Sequence, residues 1–254
     1  MPHEFLYGRR PVFESLRAGR RHHKRLLMAE GLKKSDLLDK IHALAESNGV
    51  PVQSANRSTF DNQFGEANHQ GVALETETYP YAAWDDLAEI TKKRGEPAFI
   101  LLLDHLQDPQ NLGSILRTAE AAGVHGVVIP DRRAAEVTPA VVRASAGASE
   151  HLAVVRVINL VNAMRDLKED GLWLAGLDAG PDSVPYTEAD LKGAVGLVVG
   201  GEGEGLGRLV SENCDYRIRL PMLGQVDSLN AGVAAAIAVY DIRRQRDTPA
   251  ADKR

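Results

Sequence analysis

The chain has 254 residues, 44% hydrophobic and 26% charged, an ordinary globular composition that excludes a wholly disordered, collagen-like or coiled-coil chain. No run approaches the roughly 18–20 apolar residues that span a bilayer, and the opening MPHEFLYGRRPVFESL has no signal-peptide h-region, so no membrane contact is expected. The single cysteine, Cys214, excludes an intrachain disulfide and a cysteine-built zinc site, and a cytoplasmic setting is expected.

The net charge of −5 is unevenly spread. Residues 1–75 carry 11 Lys/Arg against 9 Asp/Glu, and residues 76–254 carry 19 against 26. Near the start, Arg9, Arg10, Arg17, Arg20, Arg21, Lys24 and Arg25 face only Glu14. A localised basic patch on an acidic chain points to an anionic partner, nucleic acid first. The bland alternative is a solvated basic helix face.

In chain order, RRPVFESLRA (9–18) predicts a short helix stopped by Gly19, and LLMAE (26–30) a strand. Ser35 caps an amphipathic helix carrying Leu37, Leu38, Ile41, Leu44 and Ala45, with Gly49 as its stop. VPVQSA (50–55) and QGVALETE (70–77) read as strands, with a short helix over 56–63 between them. Residues 1–77 thus form a compact α/β domain, and 78–96 read as a linker with one polar helix.

From residue 97 strands and helices alternate. AFILLLD (98–104) is a near-continuous apolar run, as expected of a buried parallel strand. A helix over 111–122 follows, then a strand GVVIP (126–130), a helix around 138–146 and a strand VVRV (154–157). A helix capped by Asn159 leads to WLAGLDA (173–179), AVGLVVG (194–200) and YRIRLPM (216–222), all strands. A long Ala-rich helix over 228–245 closes the domain. The alternation implies a mostly parallel sheet covered on both faces over 97–246. Residues 247–254 are expected to be disordered.

Three segments carry chemistry. In DHLQDPQNLGSILRTAEAAG a buried strand feeds a polar loop and a helix with Asn111 and Arg117 two turns apart. The amide can hold a ligand or cap the helix, and the guanidinium can grip phosphate or ribose. In GLVVGGEGEGLGRLV a strand runs into a glycine-rich loop that is neither a Walker A loop nor G-x-G-x-x-G. Glu202 and Glu204 would repel a pyrophosphate, so a small ligand bound through backbone groups fits better. In IRLPMLGQVDSLNAGVAAAIAVYD a Pro-Met-Gly loop leads to Ser228, expected as N-cap, and to Asn230 just inside the helix, where a ligand role is the more natural reading.

In this order the motifs N-L-G-x-I-L-R-T-A, G-x-E-G-x-G-L and L-P-M-x-G-x-V-x-S-L-N resemble those of the SpoU (TrmH) family of RNA 2′-O-ribose methyltransferases. The likeness covers 98–246, and YGRRPVFESL with NHQGVAL resembles the family's substrate-binding domain. The stretch VIPDRRAAEVTPAVVRASAGASEHLAVVRV is most similar to the RlmB branch, the 23S rRNA guanosine 2′-O-methyltransferases. The resemblance implies a C-terminal SPOUT domain with a parallel sheet and a trefoil knot. A small ribosomal-protein-like α/β domain would precede it. It also implies S-adenosylmethionine as methyl donor, held near Leu177, Gly200, Gly201, Leu220 and Leu229, and a homodimer. By the same resemblance Asn111, Arg117, Glu202, Ser228 and Asn230 would be the catalytic set. Gln110 stands where close relatives often have His. Arg9, Arg10, Arg20, Arg21, Lys24 and Arg25 are the candidate RNA-phosphate contacts, with 23S rRNA as the expected partner and no metal.

The implied reaction leaves the proton acceptor open. Arginine is a poor base, with a reference pKa above about 12. Either Arg117 loses its proton beside an RNA phosphate, or it stays charged and stabilises the alkoxide while phosphate or water takes the proton. Other readings are a tRNA-directed enzyme and a non-catalytic RNA-binding protein. A dehydrogenase or nucleotide hydrolase is disfavoured by the missing signatures.

Overall fold

The computed structural model describes residues 2–65, 68–180, 182–201, 203 and 205–247. The expected disordered tail lies, beyond Asp247, outside the described residues. The chain divides into two compact units, Met1–Pro80 with Glu136–His151, and Tyr81–Ala135 with Leu152–Arg254.

The first unit contains β1 (His3–Tyr7), α1 (Arg9–Ala18), β2 (His23–Ala29), α2 (Asp36–Ser47), β3 (Val52–Ala55), α3 (Arg57–Phe64) and β4 (Val72–Glu77). The sheet order is β1-β4-β2-β3, with β2 and β3 parallel and the other pairs antiparallel. Strand alternation divides the core in two. Leu27 and Ala73 pack under Phe60, with Phe5, Tyr7 and Phe64 around them. Leu6, Leu26 and Leu74 point the other way and are buried with Val12, Leu16, Leu38 and Ile41 of α1 and α2. The caps are as the sequence predicts: Gly19 ends α1 at φ 60, and the Ser35 side chain accepts from Leu38 N. β1 was not expected.

The second unit begins with α4 (Trp84–Arg94), inside the stretch expected as a linker. Its Leu87 is 4% exposed and sits in the core of this unit. Then follow β5 (Phe99–Asp104), α5 (Pro109–Ala121) and β6 (Gly126–Pro130). The chain next supplies α6 (Pro139–Ala144) and a 3-10 turn (Ala148–His151) to the first unit. It returns with β7 (Val154–Val157), α7 (Leu160–Glu169), β8 (Trp173–Leu177), the two-residue β9 (Val184–Pro185), β10 (Val195–Gly200), α8 (Arg208–Glu212), β11 (Tyr216–Arg219) and α9 (Ala231–Asp247). The seven strands form one parallel sheet in the order β7-β6-β5-β10-β8-β11-β9. All six residues of β5 and of β10 are buried, as fits strands covered on both faces. Ile100, Leu102 and Val198 face Leu87 of α4 and Leu160, Met164 and Leu167 of α7. The alternate residues Leu101, Leu103 and Leu197 are buried on the face that α9 shares with α5.

This order positions a site. From β5 the chain steps outward to β6 and β7, whereas β10 comes back to pair with β5 on its other side. The carboxyl ends of β5 and β10 therefore flank a topological switch point, where open α/β sheets leave a crevice for ligands.

Candidate functional site: a glycine-walled crevice

The loop after β10 is folded back on its own strand. A Cβ on Gly200 would lie 2.2 Å from the Gly205 carbonyl carbon and oxygen, and one on Gly201 2.7 Å from the His105 carbonyl oxygen. Side chains there would fill space that backbone already occupies. Gly203 and Gly205 have φ of 84° and 66°. Below the loop, buried Asp104 accepts the Gly207 N–H at 2.7 Å, and its other oxygen contacts His105 Nδ1.

This loop, the ends of β8 and β11 and the start of α9 enclose a cavity of about 580 Å³. Leu177, Gly200, Gly201, Leu220 and Leu229, the expected cofactor residues, all line it, as do Ser228 and Asn230. The sequence reading missed Asp178, Met222 and Asp227, which line it too. Asp178 directly follows β8 in WLAGLDA, where a carboxylate at a strand end was a usable signal.

Asn230 takes the role expected of Ser228. Its backbone oxygen accepts from Ala234 N and its side-chain oxygen from Val233 N at 3.2 Å, so it is the N-cap of α9. Ser228 is exposed on the cavity wall. Asn230 Nδ2 also donates to Asn111 Oδ1 at 2.9 Å, joining the third motif to the first. Gly232 makes room for this: a Cβ there would sit 3.2 Å from Asn230 Oδ1 and 3.4 Å from Asn111 Oδ1. Asn111 itself is 5% exposed and is not the cap of α5. That is Asp108, which accepts from Gln110 N and Asn111 N, with Pro109 at the first helical position. Arg117 is exposed on α5, without a recorded partner among the described residues and outside the cavity lining. Glu202 lies outside the described residues.

The six basic candidates of the first unit divide sharply. Arg21 is no surface contact: its side chain is 0% exposed and is gripped by Glu150 at 2.6 Å and Glu4 at 2.5 Å. Tyr79 and Arg20 pack beside it, Arg20 donating to Pro80 O at 3.0 Å. Burial pushes the Tyr79 hydroxyl up to about 12. Lys24 and Arg25 share Glu75 but keep exposed surface, Arg9 donates to Ser35 Oγ, and Arg10 is exposed. His23 bonds Ser15 Oγ, and desolvation first, then the Arg21 charge, lowers it to about 4.

Comparison with known proteins places this architecture. Residues 98–240 match the SpoU rRNA Methylase family, and residues 5–82 match the family described as RNA 2′-O ribose methyltransferase substrate binding. A Bacillus subtilis protein named as a TrmH family tRNA/rRNA methyltransferase, YacO, is 43% identical over 245 residues, covering 96% of this chain and 97% of the relative. The SpoU methyltransferase AviRb of Streptomyces viridochromogenes, solved with AdoMet, superposes with a TM-score of 0.79 at 26% identity over 96% of this chain and 90% of that one. An AdoMet-bound rRNA methyltransferase of Sinorhizobium meliloti gives 0.78 at 26% identity, over 95% and 87%. A TrmH/SpoU tRNA modifying enzyme of A. aeolicus gives 0.55 at 27% identity, over 64% and 82%.

Fold, crevice and likenesses together define the class, an RNA methyltransferase. The chain belongs to the SpoU rRNA Methylase family and carries that family's substrate-binding domain ahead of the catalytic one.

Proposed function

We propose that the protein transfers a methyl group from S-adenosylmethionine to a ribose 2′-hydroxyl of structured RNA, a guanosine of 23S rRNA. The observation that carries this is the convergence of the expected cofactor residues with Ser228 and Asn230 around one glycine-walled cavity. The cavity suits that cofactor. Leu177, Leu220, Met222 and Leu229 offer apolar surface to an adenine, and the carboxylates of Asp178 and Asp227 suit ribose hydroxyls and positive charge. The backbone at Gly200 and Gly201 tolerates close approach. When bound, the cofactor supplies an electrophilic methyl carbon on a sulfonium.

The protein's part is positioning and charge. Asn230 fixes the start of α9 and holds Asn111 through its amide. Arg117, kept charged, stabilises the alkoxide as the hydroxyl proton leaves. Alignment supplies much of the acceleration. Arg9, Arg10, Lys24 and Arg25 contact RNA phosphates, so neutralising them flattens the salt dependence of RNA binding.

The preference for rRNA is supported by coverage. The rRNA methyltransferase neighbour spans 95% of this chain, first unit included, whereas the tRNA modifying enzyme spans 64%. The homodimer is supported by the bare face of α9, where Val233, Ile237 and Tyr240 are 49%, 37% and 52% exposed at helical spacing. The trefoil knot belongs to the same reading.

The test offers labelled S-adenosylmethionine to unmodified 23S rRNA, 16S rRNA and tRNA. Label in 23S rRNA that makes one linkage resist alkaline cleavage is expected. Label in tRNA alone overturns the substrate, and failure to bind the cofactor overturns the activity.

A further inference from the structure

We propose that His105 accepts the ribose proton during methyl transfer and that Asp104 is the positioning residue that readies its imidazole. The inference rests on the methyltransferase reading above. Asp104 ends β5 with its side chain 1% exposed. One of its oxygens is committed to Gly207 N–H, so the carboxylate cannot swing away. The other faces His105 Nδ1. A carboxylate held there takes the Nδ1 proton as donor and leaves the Nε2 lone pair as the basic site.

Three further features separate this pair from an incidental surface contact. The His105 side chain is 53% exposed, so Nε2 is open to a macromolecule although its orienting partner is sealed in. Its backbone is left-handed at φ 54, a conformation that costs a non-glycine residue on the order of 1 kcal/mol or more and that glycine adopts freely. Its carbonyl oxygen packs against Gly201, so the residue stands at the rim of the cavity, on the loop that leads into Asn111. Strain of this kind persists where it is useful.

The charged surroundings are sparse. Among the described residues Asp104 is the one charged side chain recorded against the imidazole. The loop after β10 offers backbone at Gly201 and Gly207, and Arg208 beyond it pairs with Glu212. The loop after β6 meets this one through Ala135 N and Leu106 O, and carries Asp131, Arg132, Arg133 and Glu136. Asp131 pairs with Arg156.

The balance is simple. The ribose O–H bond breaks toward Nε2, the freed oxygen pair forms the O–C bond, and the C–S pair leaves with a neutral thioether. The imidazolium then loses its proton to water. Arg117 keeps its charge throughout, which removes the need for an arginine base.

The test compares wild type with His105→Gln and His105→Gly on whichever RNA accepts label. The readouts are kcat, RNA KM and cofactor affinity across pH, with thermal melts alongside. His105→Gln is expected to lose about 10²-fold or more in kcat with KM and cofactor affinity little changed. It should also lose the acid-side fall in rate that wild type shows. His105→Gly is expected to melt no lower than wild type and to regain activity with added imidazole. A His105→Gln enzyme within about threefold of wild type, with the acid limb intact, overturns the proposal while leaving the methyltransferase reading standing. Lost activity that tracks lost cofactor affinity and a lower melting point, without imidazole rescue, also overturns it. A wild type that labels no RNA overturns both.

Discussion

Replacing Glu150 by Gln keeps the shape of the first unit's interior and removes one charge. In the native protein Glu150 accepts from Arg21 Nε at 2.9 Å, Arg21 Nη2 at 2.6 Å and Ser15 Oγ at 3.1 Å, with both ionic side chains at or below 1% exposure. After the substitution Glu4 is the remaining carboxylate on the guanidinium, and burial, the largest influence on it, raises its pKa and makes it a weak counter-charge. Breaking a buried pair costs about 3–5 kcal/mol. The new amide oxygen still accepts one hydrogen bond, worth about 1 kcal/mol, so a net loss near 3 kcal/mol is expected. At about 4–8 °C per kcal/mol for a domain of this size, melting should fall by more than about 10 °C. Trp84 and Trp173 both belong to the second unit, so tryptophan fluorescence reports the wrong part. Amide exchange in β2 and β4, with far-ultraviolet dichroism, is the suitable assay. The double variant Arg21→Met with Glu150→Leu should recover most of the loss, because apolar replacement removes both desolvation costs. A loss below about 1 kcal/mol, the value of an exposed pair, would refute the argument. So would a double variant as unstable as the single one.

Three other outcomes follow from the same geometry. His23 is held neutral well below its usual 6.5, so the unfolded chain takes up the proton first and stability declines as pH falls from about 6.5 toward about 4. Urea titrations at pH 7 and pH 5 should show the decline, and His23→Gln should remove that component. Gly200→Ala places a methyl within 2.2 Å of backbone, so calorimetry should show cofactor affinity lost by tenfold or more (about 1.4 kcal/mol) while the first unit's amide exchange is unchanged. Asn230→Ala removes the α9 cap and the partner of Asn111, and should cost about 0.5–2 kcal/mol in denaturation together with a fall in kcat larger than the stability loss explains.

The alternation of strands and helices beyond residue 97 was legible because buried parallel strands leave continuous apolar runs such as FILLLD and VGLVVG. The caps Ser35, Asn56 and Asn159 were legible because a short polar side chain before an amphipathic run has a local role. Asp108 was misread in favour of Asn111, although Asp before Pro is a helix-start signature. What local pattern cannot carry is partnership across the chain. Nothing in VTPAVVRASAGASEH says that it joins the first unit's core, and nothing in the composition separates buried Arg21 from exposed Arg10. The cavity residues were found by resemblance, and the Asp104–His105 pair emerged only when strand ends were placed in space.

The sharing of residues 136–151 with the first unit bears on how the protein is made. A chain leaving the ribosome presents β1 to β4 long before Glu150 exists to meet Arg21. Until then a cation destined for the interior has Glu4 as its one carboxylate, and the amino-terminal unit waits for about half of the remaining chain to be synthesised, longer than its own length would require. A nascent chain arrested before residue 150 should therefore be far more open to protease than one arrested after 151, and a clone ending at Pro80 would release a fragment lacking its own counter-ion.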